Sequence, residues 1–385
     1  MTPPISALVL TLLFLQKCSA LTQQPNNRRD FIVESVASAS FPFLPKGAGA
    51  IQPSRPISLP PIGLGAWAWG DSLFWGYDKK NDNDLKEVFQ YALEKKLAFF
   101  DTAELYGLGR SEELLGKFRA ELCDTPEDRE QVLFASKFAA LPWRTTPSDV
   151  VKACKASVNR LGGNPIDLYQ IHFPNSWSNE QYWDGIAECY EQGLVKHVGV
   201  SNYGVDALKT CHAHLAKRGI KLASNQIQMS LLYRWPLENG LIDACNDLDV
   251  KVLSYSPLAL GFLTGKYSES LLPEGPRSKI GQQLFQDSAY KELLALMQDI
   301  GEKYGAVPLS QVSLNWCIAK GTIPIPGARS IRQAKQNLST LDWSLTTEEV
   351  RRLDDASMKV KGFLTPDERP FPRKDVNTGL IMFDS

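Results

Sequence analysis

The feature that most restricts how this chain can fold is a strand-helix alternation that runs, with one interruption, from residue 61 to residue 338. Pro61-Ile62-Gly63-Leu64-Gly65 reads as a short strand entering an aromatic loop, Ala66-Trp67-Ala68-Trp69-Gly70. Asp82 to Lys96 then carries Leu85, Val88, Phe89, Ala92 and Leu93, the spacing of one helix face. Strand-like runs follow at 97–100, 131–137, 166–171, 197–200, 223–227, 250–255 and 322–326. Helical stretches at 111–122, 147–161, 180–193, 205–218, 237–248 and 331–338 fill most of the intervals. A long Gly/Pro/Ser-containing segment near 259–286 breaks the rhythm after the seventh strand, and helices near 288–305 and 308–320 come before the eighth. A further helix near 346–357 and a Pro-rich tail complete the chain.

Repeated βα units require parallel strands joined by right-handed crossovers. A doubly wound sheet would want G-x-G-x-x-G after its first strand. Gly63-Leu64-Gly65-Ala66-Trp67-Ala68 does not match it, and Trp67 would block the close approach of a pyrophosphate. Eight units of this length fit a (β/α)8 TIM barrel, with a long loop after strand 7 and extra C-terminal helices. The expected barrel and its tail occupy residues 56–385.

Residues 1–55 are a different material. Ile5 to Leu15 is apolar but too short to span a bilayer, and it ends near Cys18-Ser19-Ala20, a site suited to signal-peptide cleavage. From Leu21 to about Arg55 the chain is rich in Ser, Ala and Pro, with Asp30 and Glu34 its only acids, as in transit peptides. A signal peptide followed by such a segment resembles the bipartite presequences of plastids bounded by extra membranes. Plain secretion, with Asn337-Leu338-Ser339 as a sequon, or a thylakoid-lumen signal at Arg28-Arg29, are the alternatives.

Over the whole chain, charge and cysteine usage narrow the partners. Forty-two basic and 43 acidic residues leave a formal net charge of −1, which removes the general electrostatic case for nucleic acid or an anionic membrane. Seven cysteines show no C-x-x-C and read as buried, reduced thiols, and His212 and His214 face different directions on one helix, so no metal is expected. The expected partner is a small molecule, and oligomeric state is not readable.

In a barrel of this kind the strands deliver their C-terminal ends to one mouth. Asp101 ends the second strand, Lys137 the third and His172 the fourth, and Tyr106 lies in the loop after the second. Lys137, paired with Asp101, would place positive potential beside the Tyr106 hydroxyl and favour its phenolate. Such a tyrosine can protonate a forming alkoxide, and His172 can orient the substrate oxygen. The set holds no nucleophile and no metal, so the electrons must come from elsewhere, and hydride from a nicotinamide suits it.

These motifs, with Phe100-Asp101-Thr102-Ala103-Glu104-Leu105-Tyr106-Gly107, Ser136-Lys137, Ile171-His172-Phe173-Pro174, Gly199-Val200-Ser201-Asn202-Tyr203, Tyr255-Ser256-Pro257-Leu258, Leu263-Thr264-Gly265-Lys266-Tyr267 and Ile325-Pro326-Gly327-Ala328-Arg329-Ser330, resemble the aldo/keto reductase superfamily. The resemblance runs from about 57 to 358 and implies Asp101, Tyr106, Lys137 and His172 as a catalytic tetrad. It implies NADPH/NADP+ bound extended at the mouth. Ser201, Asn202 and Gln226 would hold the carboxamide, and Tyr255 would stack on the nicotinamide. Ser256, Pro257, Leu258, Gly261 and Lys266 would lie along the pyrophosphate. Gly327, Arg329 and Ser330 would lie near the 2′-phosphate, with Gln333 and Asn337 at the adenine. Gln336 stands where many members carry Glu.

Trp67-Ala68-Trp69-Gly70 with Leu73-Phe74-Trp75-Gly76-Tyr77, the stretch 138–144, Leu272 to Ser278 and Asn315-Trp316-Cys317-Ile318 look like the plastid aldo/keto reductases of plants, the pyridoxal reductases among them. That likeness implies an apolar pocket at Trp67, Trp143 and Phe173 for a small carbonyl compound such as pyridoxal or another aromatic aldehyde. Voltage-gated potassium channel β subunits share the fold and cofactor site, so a regulatory subunit is the competing reading. The complete tetrad and the organelle-type presequence favour an enzyme.

Overall fold

The computed structural model describes residues 56–72, 74–174, 179–274 and 277–360, and two short strands at 373–374 and 381–382. The presequence expected at 1–55, the motif positions Leu73, Gly275 and Pro276, and most of the Pro-rich tail lie outside the described residues.

Eight strands form one sheet in chain order: β1 (Leu64–Gly65), β2 (Phe99–Asp101), β3 (Leu133–Phe138), β4 (Leu168–Ile171), β5 (Val198–Ser201), β6 (Leu222–Gln228), β7 (Lys251–Tyr255) and β8 (Ile323–Pro324). Every adjacent pair is parallel. The sheet closes where the amides of Gly63 and Gly65 donate to the carbonyls of Pro324 (3.0 Å) and Pro326 (2.9 Å). Prolines offer no N–H to a ladder. The last strand, expected over 322–326, is accordingly short, Ile323 and Pro324 in register with Leu253 and Ser254 of β7, and its proline carbonyls supply the seam.

Side chains alternate across the barrel wall, as a two-residue period dictates. Phe99, Ala135, Leu168, Ala223, Leu253 and Ile325 pack together inside, with Ile57 from the segment before β1. Phe100, Phe134, Phe138, Tyr169 and Ile171 face outward into the larger cluster shared with the helices. Gly63 makes room for the inner filling, because a Cβ there would lie 2.6 Å from the Phe99 ring.

The helices follow the expected order, with three local differences. Pro126–Gln131 is a short helix not foreseen, started by a Thr125–Asp128 capping box with proline at its first turn. The helix expected at 237–248 is two, Trp235–Glu238 and Leu241–Asp247, separated at Gly240 with φ +76°. The segment expected to be irregular near 259–286 contains a helix, Arg277–Gln286, whose Ile280, Leu284 and Phe285 are buried.

The helix Thr347–Ser357 is pinned to the barrel by one carboxylate. Asp354 accepts hydrogen bonds from Arg234 Nη1 (2.6 Å), Lys320 Nζ (2.6 Å) and Trp316 Nε1 (2.9 Å). Burial alone would raise this carboxyl; the three donors outweigh it and hold it below the usual range. A depressed carboxyl stabilises the fold above its unfolded value, and that contribution is lost as pH falls through the folded one. Asp354→Ala is therefore expected to cost about 2 kcal/mol at pH 7 by leaving two cations half-buried. Urea unfolding should show the gap from wild type narrowing as pH falls below about 4.

Candidate active site

The inward positions of β2 and β3 turn from apolar to ionisable at the C-terminal end. Above Phe99 comes Asp101, and above Ala135 comes Lys137. Lys137 Nζ lies 2.5 Å from Asp101 Oδ1, donates to the Thr102 carbonyl at 2.8 Å and reaches the Tyr106 hydroxyl at 3.3 Å. Lys137 is wholly buried and Asp101 is 2% exposed. His172, just past β4, sets its ring edge against Tyr106, with centroids 5.8 Å apart. The four strand-end and loop residues singled out in the sequence therefore meet at one point.

Burial alone would lower the Lys137 ammonium, but the Asp101 charge and Tyr106 more than offset it, so the lysine keeps its proton firmly. Burial drives His172 well below the ordinary imidazole value, helped by the Lys137 charge, and its Nδ1 is buried without a hydrogen-bond partner. It is neutral at physiological pH. For Tyr106 the sequence reading needs correction. Lys137 does lower the phenol, as expected, but burial is the larger influence and Asp101 adds to it, so the net direction is upward. Tyr106 is thus a protonated phenol, half-buried at the barrel mouth, with the Lys137 ammonium beside its hydroxyl.

The loop carrying Tyr106 is held by backbone shape. Gly107, Leu108 and Gly109 have φ of +58°, +56° and +97°. Gly107 packs directly on the aromatic loop after β1, and a Cβ there would lie 2.6 Å from the Gly70 carbonyl. Ser111 ties the same two loops by donating to the Ala66 carbonyl at 2.9 Å. Trp67 stands 6.2 Å from the Tyr106 ring and stacks on Phe74 at 5.2 Å, while Phe173 lies 5.6 Å from His172. Trp67 and Phe173 thus flank the tyrosine and histidine. Trp143 instead stands out on the rim, 58% exposed, beside Arg144, which Glu104 anchors at 2.5 Å.

Across the mouth, Ser201 Oγ donates to the Gln226 carbonyl (2.9 Å), and Asn202 Nδ2 donates to Ser201 Oγ (3.1 Å) and the His172 carbonyl (3.2 Å). The Tyr255 hydroxyl donates to Asn202 Oδ1 at 2.9 Å. Asn202 has φ +62°, and a strained run follows β7, with Ser256, Ala259, Leu260 and Gly261 all at positive φ. Strain of this kind in non-glycine residues collects at ligand clamps. Pro257 in that run is fastened by Ser313, which donates to its carbonyl, and Leu258 packs on the core. Lys266 is exposed, its ammonium 5.4 Å from the Tyr267 ring.

At the far end a cleft of about 240 Å³ is lined by Arg329, Ser330 and Gln333 together with Tyr77, Asn81 and Asp84. Ser330 caps the helix Ile331–Leu338. Asn337, expected at the adenine and in the sequon, is 3% exposed and donates to the Gly327 carbonyl at 3.3 Å, so it braces the loop from beneath and offers no surface for a glycan. The sequence reading assigned no role to Arg277, although it stood in one of the quoted motifs. Its guanidinium lies 5.0 Å from the Trp75 ring, and that of Arg329 lies 5.7 Å from the same ring and donates to the Trp75 carbonyl at 2.9 Å. Partial desolvation against its neighbours, with the Arg277 charge, lowers Arg329, although much of its surface is exposed. Among the described residues neither arginine has a carboxylate partner, and Arg329 lines the cleft while Arg277 shares the Trp75 ring with it, a pair of cations that suits a phosphate group.

Residues 61–358 match the aldo/keto reductase family. The chain belongs to that family. It is 43% identical over 314 residues to the chloroplastic pyridoxal reductase of Arabidopsis thaliana, covering 78% of this chain and 84% of the relative. It is 26% identical to the aldo-keto reductase yakc [NADP(+)] of Schizosaccharomyces pombe, over 79% of this chain and 91% of the other. Among solved structures, an aldo/keto reductase from Klebsiella pneumoniae in complex with NADP and acetate superimposes with a TM-score of 0.62 at 25% identity, covering 81% of this chain and 94% of that one. The eight-stranded barrel is the fold of this family, and the chain is an oxidoreductase for carbonyl compounds.

The contact between the two loops is open to test. Gly107→Ala is expected to cost about 2 kcal/mol, from its positive φ and the clash with Gly70. Chemical denaturation should show that loss.

Proposed function

We propose that this reductase uses NADPH to reduce an aldehyde to an alcohol, with Tyr106 as proton donor. The buried contact of Lys137 with both Asp101 and the Tyr106 hydroxyl is the observation that carries the reading. An extended dinucleotide phosphate would lie from Tyr255 past the strained Ser256–Gly261 run to the cleft at Arg329 and Ser330, a placement supported by that strain, by the cleft and by the relatives named for NADP+. Bound there, NADPH supplies hydride to the carbonyl carbon.

This chain's residues do the rest. Ser201 and Asn202, with Tyr255 beside them, hold and orient the carboxamide end. Neutral His172 points the substrate oxygen toward Tyr106. Tyr106 gives its proton to that oxygen as charge develops, and Lys137 stabilises the phenolate left behind. Asp101 keeps the ammonium in place. The aromatic wall of Trp67, Phe74 and Phe173 shields the site from water and favours a flat substrate. Pyridoxal is the candidate, supported by the Arabidopsis relative.

NADPH oxidation is to be followed against pyridoxal, methylglyoxal, aromatic aldehydes and sugars, with pyridoxal expected to give the highest kcat/KM. Tyr106→Phe should lower kcat by about a thousandfold or more while NADPH binding stays near normal, and full activity in that variant would refute the role. Arg329→Ala is expected to weaken NADPH by about tenfold more than NADH, as measured by cofactor fluorescence titration. Equal weakening would withdraw the phosphate contact.

We further infer that residues 1–55 direct the protein to a plastid, a reading supported by the transit-like composition and by the chloroplastic relative. A fluorescent fusion of residues 1–60 should accumulate in the plastid; appearance in the medium would contradict it.

A further inference from the structure

Gln226 lies in β6, four places round the eight-stranded ring from β2, which puts it across the barrel axis from Asp101. Its side-chain amide spans that interior. Gln226 Nε2 donates to Asp101 Oδ2 at 2.6 Å, the carboxylate oxygen that faces away from Lys137. Both partners are 2% exposed, and the contact joins residues 125 positions apart. The backbone of Gln226 serves the other wall, since its carbonyl accepts from Ser201 Oγ (2.9 Å) and from the Asn202 amide (2.8 Å). One residue therefore holds the cofactor-side shelf with its main chain and the acid behind the proton donor with its side chain.

We propose that Gln226 is a positioning residue for proton transfer, fixing Asp101 so that Lys137 faces the Tyr106 hydroxyl. This goes beyond its expected place among the carboxamide contacts and rests on the reading of Tyr106 as proton donor. A carboxylate buried with one cation is free to rotate its second oxygen toward other donors unless that oxygen is held. The amide holds it without adding charge. The charged and titratable groups around Tyr106 are Lys137 and Asp101, with His172 across the mouth and Tyr255 beyond it, and Gln226 touches this set through Asp101.

The test is a double-mutant cycle in the full-length enzyme, with 4-nitrobenzaldehyde and saturating NADPH. Gln226→Met removes the donor at nearly constant volume and should lower kcat by about tenfold or more. In an Asp101→Asn background the same change should have almost no further effect on kcat, because its target is already gone. Gln226→Glu places two acids at hydrogen-bond distance, which hold one proton between them. Activity in that variant should fall as pH rises through a new limb between about 5 and 8, absent from wild type. Independent, additive losses in kcat at 101 and 226, or a Gln226→Met variant altered only in its NADPH dissociation constant, with pH profiles that superimpose on wild type, would reduce Gln226 to a cofactor contact. Thermal melting of each variant separates misfolding from these outcomes. Tyr106→Phe is measured alongside: if it retains full activity the proposed function itself fails, whereas an inactive Tyr106→Phe with additive effects at 101 and 226 removes only the coupling.

Discussion

A lysine with no exposed surface needs a counter-charge, and the whole mouth of this barrel is arranged around giving it one. An unpaired ammonium at that depth would lose its proton or unfold its surroundings. Asp101 lies on the neighbouring strand opposite Ala135, one inward position below Lys137, so the register between β2 and β3 sets the pair. Once the pair exists, its own geometry limits what can surround it. The Thr102 carbonyl and the Tyr106 hydroxyl fill the remaining directions of the ammonium, and Gln226 fills the free side of the carboxylate. The apolar layer below, led by Phe99 and Ala135, keeps water from entering by the other end of the barrel.

The site divides into a rigid and a shaped part. Asp101, Lys137 and His172 hang from strand ends and Tyr106 from a loop braced by Gly70 against Gly107, all short elements in contact with the core. The rim is formed by the aromatic loop after β1 and the loop after β3, where Trp143 is exposed and Arg144 pairs with Glu104 of the loop after β2. Such a division lets a family keep one reaction while changing its substrates, because loops can vary without moving the strand ends.

Much of this was legible in the sequence for a physical reason. A polar residue that ends an apolar strand-like run is conspicuous, and three successive strands end that way, at Asp101, Lys137 and His172. The alternation of periods revealed the barrel, and Gly240 and the Thr125 capping box altered only its local boundaries. Contacts made across the axis were hidden, since nothing local to Gln226 announces a partner 125 residues away. The upward direction of the Tyr106 shift was hidden for the same reason: its cationic neighbour could be inferred from strand order, whereas its packing against Trp67 and His172 could not. Arg277 lay in a stretch with no clear period, and its place beside Trp75 depends on how that stretch folds back. Burial of the six described cysteines did follow from their scatter.

The proline seam has a consequence for assembly of the barrel. In a parallel ladder a residue turns both its amide and its carbonyl to the same neighbour, so Pro324 and Pro326 face β1 while Ile325 faces β7, where its amide bonds to Ser254. A slip by one residue would turn the two prolines toward β7 and leave the Ser254 carbonyl without a donor. The last strand is therefore kept from entering the ring one residue out of frame. The prolines guard against that misclosure at the join that brings together the two most distant ends of the sheet.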